Sequence, residues 1–542
     1  MSEKKGQNFL HGAAIYTVGI ILVKILGAFY KIPLGNILGD EGFTHFDLTY
    51  RIYNVFLTVS TAGFPVAMSR LISESDTLDR ENQVYRVFRV GIKTFLGLGV
   101  ISTLLMMLFP AEMAASMGDV QASRCIFIMA PSVLLVCVTA AYRGYAQGHA
   151  DMIPTTVSQV IETGVKVLVG LACAGFLYRA GYGLGICAAG AILGTTVSSL
   201  AAMVYMQIKV RRKYQVKPVA GQSDDVPDSD GKIFWDLLRI GIPITISTSI
   251  MSLIQLADTY ITLNQLQNAA GYNPVAAYAL NGVYGKAMTV YNVPSAFVVP
   301  FLSTVVPAIS AARVRKNGAE VCKIAESAMR MCTLLCLPMA VGMAVLSGPC
   351  MKVLYPESAS QGALLLFELG IVCYFMTMSL MTNSILPANG NERLPLVAII
   401  LGGAAKVIVT YILVGNPNIN IYGAPIGTLS CYFVMVSVNL FFMARRMDRP
   451  MNLWRIMGRS GISAATMAVA AWAVWSLLSG LMGGVSGSVL GRDLNVLLPF
   501  GVAVMTGVIV YFVMAIALRA ITEEDMKLFP KGEKLAKVLH IH

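Results

Sequence analysis

Residues 12–32 read GAAIYTVGIILVKILGAFYKI, an apolar run of 21 residues with one lysine, Lys24, near its middle and a second, Lys31, near its end. A helix needs about 20 predominantly apolar residues to cross the roughly 30 Å hydrocarbon core of a membrane. A charged side chain at that depth costs about 2.5–3.5 kcal/mol on insertion scales, unless it faces water, a partner or a ligand. The run therefore predicts a membrane-spanning helix with a charge that has a function.

Thirteen more runs of this kind follow along the 542 residues. They lie near 48–71, 91–109, 123–146, 154–178, 184–208, 236–262, 284–310, 325–349, 361–386, 395–415, 420–443, 459–482 and 494–518. The ten-residue alternation of a membrane β-barrel is missing from them, and helices satisfy their own backbone hydrogen bonds in lipid. We therefore expect an all-α integral membrane protein with about 14 transmembrane helices.

Composition supports the same class. Hydrophobic residues make up 56% of the chain and charged residues 13%, against about 45–50% and about 25% in soluble proteins. A soluble enzyme, a nucleic-acid binder and a disordered protein are therefore excluded. With the N-terminus inside, 31 of the 41 Lys and Arg residues fall in inner segments and 6 in outer ones. This positive-inside bias predicts that both termini are cytoplasmic, and it accounts for most of the net charge of +12.

Two halves of the chain share short motifs. Pro154 and Pro395 are 241 residues apart, and Lys166 and Lys406 are 240 apart, as are Tyr182-Gly183 and Tyr422-Gly423. Repeats of one topology imply a pseudo-twofold axis along the membrane normal, with two six-helix lobes enclosing a central cavity. We predict an N-lobe at 1–214 with helices 1–6, a cytoplasmic linker at 215–232, a C-lobe at 233–450 with helices 7–12, additional helices 13 and 14 at 451–520, and a cytoplasmic tail at 521–542.

Charged residues inside the predicted spans are the candidate substrate-binding groups of the cavity. They are Lys24, Glu162, Lys166, Asp258, Lys286, Glu368 and Lys406, with Arg51 and Arg239 near helix ends. Most have a structural alternative. Glu162 and Lys166 can pair along one helix face. Lys286 can reach the interface from near a helix end, Lys406 can reach it or pair across the bundle, and Arg239 can anchor the inner face. Asp258 can be a counter-ion or hold a coupling cation.

The balance of these charges is basic, which suits a substrate bearing phosphate or carboxylate. Proline permits bending of the helices that hold them, because it removes a backbone hydrogen bond. Pro65 on helix 2, and Pro294 and Pro300 on helix 8, are the predicted hinges. The ten cysteines and five histidines show no zinc-ligand spacing, so we expect neither a metal site nor a catalytic site.

Several stretches resemble one known family. They are VKILGAFYKIPLGNILGDEG at 23–42, RIGIPITISTSIMSLIQLADTYI at 239–261 and YGKAMTVYNVPSAFVVPFLSTVVPAIS at 284–310. Together they resemble the polysaccharide-transporter branch of the multidrug/oligosaccharidyl-lipid/polysaccharide (MOP) exporter superfamily, and more narrowly its MurJ-like and stage V sporulation protein B group. The resemblance implies the MOP fold, two six-helix lobes and two further helices around a central cavity.

The resemblance also implies a function and site residues. It implies a flippase in the bacterial cytoplasmic membrane that moves a polyprenyl-pyrophosphate-linked cell-wall precursor, with lipid II as the leading substrate, for peptidoglycan or spore wall synthesis. Lys24 falls where the group places a cavity arginine. Lys286 and Arg51 lie on helices that carry other cavity arginines in that group, and Tyr30 stands at the position of a further one. The expected partners are the anionic glycan lipid and membrane lipids, without nucleic acid, for a monomer driven by Na⁺, H⁺ or membrane potential.

Three alternatives remain at this point. Another lipid-linked oligosaccharide or polysaccharide unit can replace lipid II as the substrate. A drug or cation antiporter of the same superfamily would favour acidic residues in the cavity. A membrane glycosyltransferase would need an acidic catalytic motif, and the only Asp-x-Asp sequence, Asp228-Ser229-Asp230, lies in the predicted linker.

Overall fold

The computed structural model describes residues 2–214, 225–447, 452–482, 487–489 and 492–520, with side chains described from residue 18 onward except at 300, 303, 453, 455, 489 and 492. Most of the predicted linker at 215–232 and the predicted tail at 521–542 lie outside these residues. The helices are α1 (Ser2–Thr61), α2 (Phe64–Thr77), α3 (Glu81–Leu108), α4 (Pro110–Ser116), α5 (Ser123–Gly148), α6 (Ile153–Arg179), α7 (Leu184–Tyr214), α8 (Asp230–Asn268), α9 (Pro274–Tyr291), α10 (Ser295–Val314), α11 (Gly318–Val345), α12 (Ser347–Leu354), α13 (Ala359–Ala388), α14 (Leu394–Val414), α15 (Gly423–Arg446), α16 (Leu453–Leu481) and α17 (Leu494–Ala517). Two short antiparallel strands, β1 (Ser488–Val489) and β2 (Arg492–Asp493), precede α17.

The long apolar helices confirm the predicted fold class. Twelve described helices are long and apolar enough to cross a membrane, or thirteen if a bent pair counts as one span. The first of them, Val18–Thr77, includes most of the first predicted run and all of the second, and each of the other predicted runs also lies on described helices. The chain is thus a multi-pass membrane protein built from helices, with the two short strands before α17 as its described β-structure.

The sequence predicts a loop between the runs at 12–32 and 48–71. In the structure, helix α1 instead changes direction sharply at a single residue of this stretch. Helical structure continues on both sides of Gly39, which has φ 65° and ψ −165°. Side chains other than that of glycine are strained in this region of backbone space. The second helix therefore begins well before residue 48, the start of the predicted run, and it brings several polar residues into helical register.

The run at 284–310 was predicted as one spanning helix with proline bends, and the structure divides it into two helices. α9 ends at Tyr291 and α10 begins at Ser295 with Pro294 as its N-cap. Proline donates no backbone hydrogen bond and disfavours helical geometry at the residue before it, here Val293. Farther on, Pro274–Val299 and Thr304–Val314 are bent by 42° relative to each other. Pro300 falls in that bend.

The chain forms two compact units, unit 1 at Met1–Gly282 and unit 2 at Val283–His542. The order of elements in unit 1 recurs in unit 2. In unit 1, α3 is followed by the short α4, a 3-10 turn at Val120–Ala122, and then α5, α6 and α7. In unit 2, α11 is followed by the short α12, a 3-10 turn at Pro356–Ser358, and then α13, α14 and α15. This recurrence supports the internal repeat. The lobe and linker boundaries predicted above stay predictions.

Glycines let neighbouring helices approach within each unit. In unit 1, Gly194 of α7 lies against Gly170 of α6, with no room for a Cβ atom. In unit 2, Gly402 of α14 lies against Cys431 and Met435 of α15. Small residues at such crossings are the usual means of helix association in membranes. These contacts determine where the charged residues of α6 and α14 lie.

Candidate functional site

Lys24 is the accessible cation of the first span. It lies on α1 and is exposed, with apolar neighbours Leu22 and Ile25 that are also exposed. Within the described part of the chain it makes no hydrogen bond and no ion pair. An ammonium group on an apolar span is costly in lipid, so water or an anion must solvate it. Lys24 is therefore available to an anionic ligand.

Farther along α1, one buried carboxylate is shared by two cations. Asp47 accepts hydrogen bonds from Arg51 Nε at 2.9 Å and from Lys31 Nζ at 3.4 Å. Arg51 also donates to the Gln255 carbonyl of α8 at 3.5 Å. Arg51 was predicted to contact substrate, and the structure places it in an ion pair that joins α1 to α8. The predicted run began at 48 and omitted Asp47, although the i,i+4 spacing to Arg51 is a recognisable signal.

Glu162 has a different partner from the one proposed along its own helix. Its carboxylate accepts a hydrogen bond from Arg143 of α5 at 2.8 Å, and Arg143 Nε donates to Ser158 Oγ at 2.8 Å. Both charged side chains are largely buried. Arg143 is one of the 31 basic residues assigned to the inner side by the sequence, and it lies inside α5, more than one turn before the helix ends at Gly148.

Lys166 lies over an aromatic ring. Its Nζ is 5.8 Å from the ring centroid of Tyr30, a distance at which cation–π attraction operates. The Tyr30 hydroxyl donates to the Ala191 carbonyl at 3.1 Å and the residue is buried. Tyr30, at the position where the resembling group has an arginine, is thus a packing residue that positions Lys166.

Two lysines of unit 2 are buried more deeply. Lys286 is 1% exposed, donates to Ser358 Oγ at 3.0 Å and lies 5.5 Å from the ring centroid of Tyr355. It therefore does not reach the interface, which was the alternative considered for it. Lys406 of α14 is 5% exposed.

The remaining predicted residues are placed as follows. Asp258 of α8 is buried. Glu368 of α13 is half-buried, and its Oε2 atom is buried without a hydrogen-bond partner among the described residues. Pro65 lies in the first turn of α2, directly after the break at Ala62–Gly63. The hinge roles of Pro65, Pro294 and Pro300 stay predictions.

Two histidine clusters were missed, because each is assembled from residues far apart in the sequence. They lie at opposite ends of α5. Before its start, His45 Nδ1 lies 2.6 Å from Asp119 Oδ2, and both side chains are fully buried. After its end, His149 Nδ1 lies 3.2 Å from Asp76 Oδ1, and the imidazole stacks on Tyr214. Burial lowers the pKa of His149 below its ordinary value, although Asp76 opposes this shift.

No group of three or more His, Cys, Asp or Glu side chains in the described ranges is arranged to hold a metal ion. Most of the charged groups described above instead contact carboxylates, hydroxyls or aromatic rings of the fold, and Lys24 remains accessible. Such groups can bind and release a charged headgroup without covalent chemistry.

Comparison with known proteins agrees with these features. The model of the polysaccharide biosynthesis protein family matches residues 9–313. Among curated proteins of Bacillus subtilis (strain 168), the chain is 25% identical to the uncharacterized membrane protein YabM over 97% of this chain and 96% of that protein. It is 24% identical to stage V sporulation protein B, over 78% of this chain and 81% of that protein. It is 23% identical to the lipid II flippase MurJ, over 75% of this chain and 77% of that protein.

Solved structures show the same fold. A lipid II flippase MurJ in an inward closed conformation aligns with a TM-score of 0.65 at 15% identity, over 93% of this chain and 98% of that one. An inward-facing multidrug resistance MATE family transporter of the MOP superfamily aligns with a TM-score of 0.67 at 17% identity, over 80% of this chain and 98% of that one. The chain therefore belongs to the polysaccharide biosynthesis protein family and has the fold of the MOP exporters.

Proposed function

We propose that the protein is a flippase for a polyprenyl-pyrophosphate-linked cell-wall precursor, with lipid II as the first candidate. It carries the headgroup from the inner to the outer leaflet of the bacterial cytoplasmic membrane by alternating access. Both termini lie on the cytoplasmic side in this proposal, as the distribution of Lys and Arg predicts.

The single observation that supports an anionic substrate best is Lys24. Arg51 and Lys31 share Asp47, and Arg143 pairs with Glu162, so each of these cations has a carboxylate partner within the fold. Lys24 has no such partner among the described residues and is exposed on an apolar helix. A pyrophosphate supplies the negative charge that this position lacks. Lys166, held by the ring of Tyr30, is the second contact that we propose.

Transport of this kind needs no covalent step. The charged headgroup leaves the inner leaflet, the polyprenyl tail stays in lipid, and the headgroup is released at the other side. Moving one charge against the membrane potential corresponds to about 2.3 kcal/mol per 100 mV, which can drive or reset the cycle. A coupling cation, Na⁺ or H⁺, is the other proposed energy source, with Asp258 as its candidate residue.

A second candidate substrate is another lipid-linked oligosaccharide or polysaccharide unit. The matching family is described by polysaccharide biosynthesis in general, and the same pyrophosphate chemistry would suit Lys24. A drug or cation antiporter is less well supported, because the accessible intramembrane charge of α1 is positive.

The deciding experiment replaces the essential lipid II flippase of a host bacterium with this protein. Survival of the host supports lipid II as substrate. Failure of the host at normal expression and membrane insertion contradicts lipid II and favours another glycan lipid, which is then tested by restoring a capsule or teichoic-type polymer in a strain that lacks its exporter.

A further inference from the structure

The imidazole of His45 lies between two carboxylates. Its Nδ1 atom is 2.6 Å from Asp119 Oδ2, and its Nε2 atom is 3.9 Å from Glu41 Oε1. His45 and Asp119 are 0% exposed, and Nε2 has no hydrogen-bond partner among the described residues. A neutral imidazole has one N–H group and one lone pair. When the N–H group is on Nδ1 and points at Asp119, the lone pair of Nε2 faces the carboxylate of Glu41. A proton added to Nε2 would make this nitrogen a donor toward that carboxylate.

The arrangement suits a proton better than a metal ion. The two carboxylates approach opposite nitrogens of the ring, so their oxygens do not converge on one point. Among the described residues, the other titratable groups facing the cluster are Tyr278 of α9, whose ring centroid lies 5.4 Å from that of the imidazole, and Cys125 of α5, which interacts with Asp119. From α8, Gln267 donates to the Gly118 carbonyl next to Asp119, at 3.0 Å.

The internal repeat has a basic residue at the equivalent position. Lys286 follows His45 by 241 residues, the same displacement as between Pro154 and Pro395. Lys286 contacts Tyr355 and Ser358 at the 3-10 turn that precedes α13. His45 contacts Asp119 at the 3-10 turn that precedes α5. Unit 2 thus has a lysine where unit 1 has a residue that gains its charge by binding a proton.

The first turns of α9 are attached to α1 beside this histidine. Thr44 Oγ1 donates to the Tyr278 carbonyl at 2.7 Å, and Asn281 Nδ2 donates to Thr44 Oγ1 at 3.4 Å. The backbone of Gly282 is so close to the Asp40 carbonyl that no Cβ atom would fit. His45 itself touches this segment through the ring of Tyr278, so a change at His45 acts on the contact between α1 and the start of α9 through that ring.

We infer that His45, Asp119 and Glu41 form a proton-binding site that fastens the first turns of α9 to α1. In the orientation proposed above, this end of unit 1 faces the outside, so the site responds to external acidity. Histidine is the side chain that most often performs such a role near neutral pH. The inference does not depend on which lipid the protein carries.

The test is hydrogen–deuterium exchange of residues 274–282 in the purified full-length protein at pH 5.5 and pH 8, corrected for intrinsic exchange rates. Four proteins are compared: wild type, His45→Lys, His45→Gln and the control His149→Gln. His45→Lys introduces the residue that unit 2 carries at the equivalent position. His149→Gln removes the other described histidine with a carboxylate partner, at the opposite end of α5.

In the wild type and in His149→Gln, protection should fall about tenfold from pH 5.5 to pH 8, the size expected for one charged hydrogen bond. His45→Lys should stay protected at both pH values, and His45→Gln should show weak protection that does not change with pH. Wild-type protection independent of pH would overturn the inference even if the variants do not fold. A wild-type pH response retained in His45→Lys would overturn it as well. Neither readout depends on transport, so failure of the proposed function is detected separately.

Discussion

Lys166 in unit 1 and Lys406 in unit 2 occupy the same place in the repeated helix order, 240 residues apart, yet their surroundings differ. One turn before Lys166, Glu162 pairs with Arg143 of the neighbouring helix. The residue one turn before Lys406 is Gly402, which packs tightly against α15. The residue 240 positions after Arg143 is Asn383, so unit 2 has neither member of the ion pair.

The same contrast recurs near the start of each repeat, where unit 1 has His45 beside Asp119 and unit 2 has Lys286 beside Ser358. Unit 1 thus combines cations with carboxylates, and its Lys24 remains accessible. In unit 2, Lys286 and Lys406, which correspond to His45 and Lys166, are buried. The two repeats therefore share the order of their helices but differ in their charged residues. For this reason we propose that unit 1 chiefly recognises the charged headgroup.

The largest expected effect concerns the ion pair that unit 2 lacks. Glu162→Gly should destabilise the protein by about 3 kcal/mol, because it leaves Arg143 largely buried without its partner. The double variant Arg143→Asn/Glu162→Gly, which copies the residues of unit 2, should recover at least half of that loss. Thermal unfolding in detergent measures both. Equal stability of wild type and Glu162→Gly would show that the pair contributes nothing to the difference between the units.

The two equivalent lysines should respond differently to the same substitution. Lys166→Met should slow transport about tenfold with little change in stability, because one charged contact to substrate is lost. Lys406→Met should leave transport within about twofold of the wild type and change mainly stability, because deeply buried charges act on folding. Transport rates and unfolding temperatures of the two variants test this assignment. Equal loss of transport in both would extend the recognition site to α14.

The smallest effect concerns His149. Because burial lowers its pKa in the folded protein, the unfolded chain binds more protons at this site below about pH 6.5. The fold should therefore lose stability as the pH falls through this range. His149→Gln should reduce the loss, with a change within about 0.5 kcal/mol, as for surface substitutions. Unfolding temperatures at pH 5 and pH 8 measure it. An identical pH dependence in the variant would exclude His149 as the cause.

Much of this fold could be predicted from the sequence, because membrane spans depend on long apolar runs that are read directly. Each predicted run lies on described helices. The residues at which helices begin and end were less predictable. Gly39 changes direction within one residue, so helix 2 begins before the predicted run and includes Asp47. Pro294 divides the predicted helix 8, although the same proline was expected to bend it.

The partners of the intramembrane charges could not be predicted in the same way. Glu162 and Lys166 are four residues apart, and an i,i+4 pair was the natural expectation. The observed partner, Arg143, lies on another helix and is brought close by packing between helices. His45 and Asp119 are 74 residues apart. Only the fold shows such pairs, because one sequence carries no signal for contacts between distant helices.

The measurement that tests the central claim most directly is the rate at which the purified protein in liposomes translocates lipid II, for wild type, Lys24→Ala and Lys24→Arg. Lys24 is accessible and without a partner among the described residues, so its charge should act on the substrate. Loss of one charged contact corresponds to about tenfold or more in rate. The account predicts that Lys24→Ala loses that much while Lys24→Arg stays near wild type. Full activity in Lys24→Ala would contradict it.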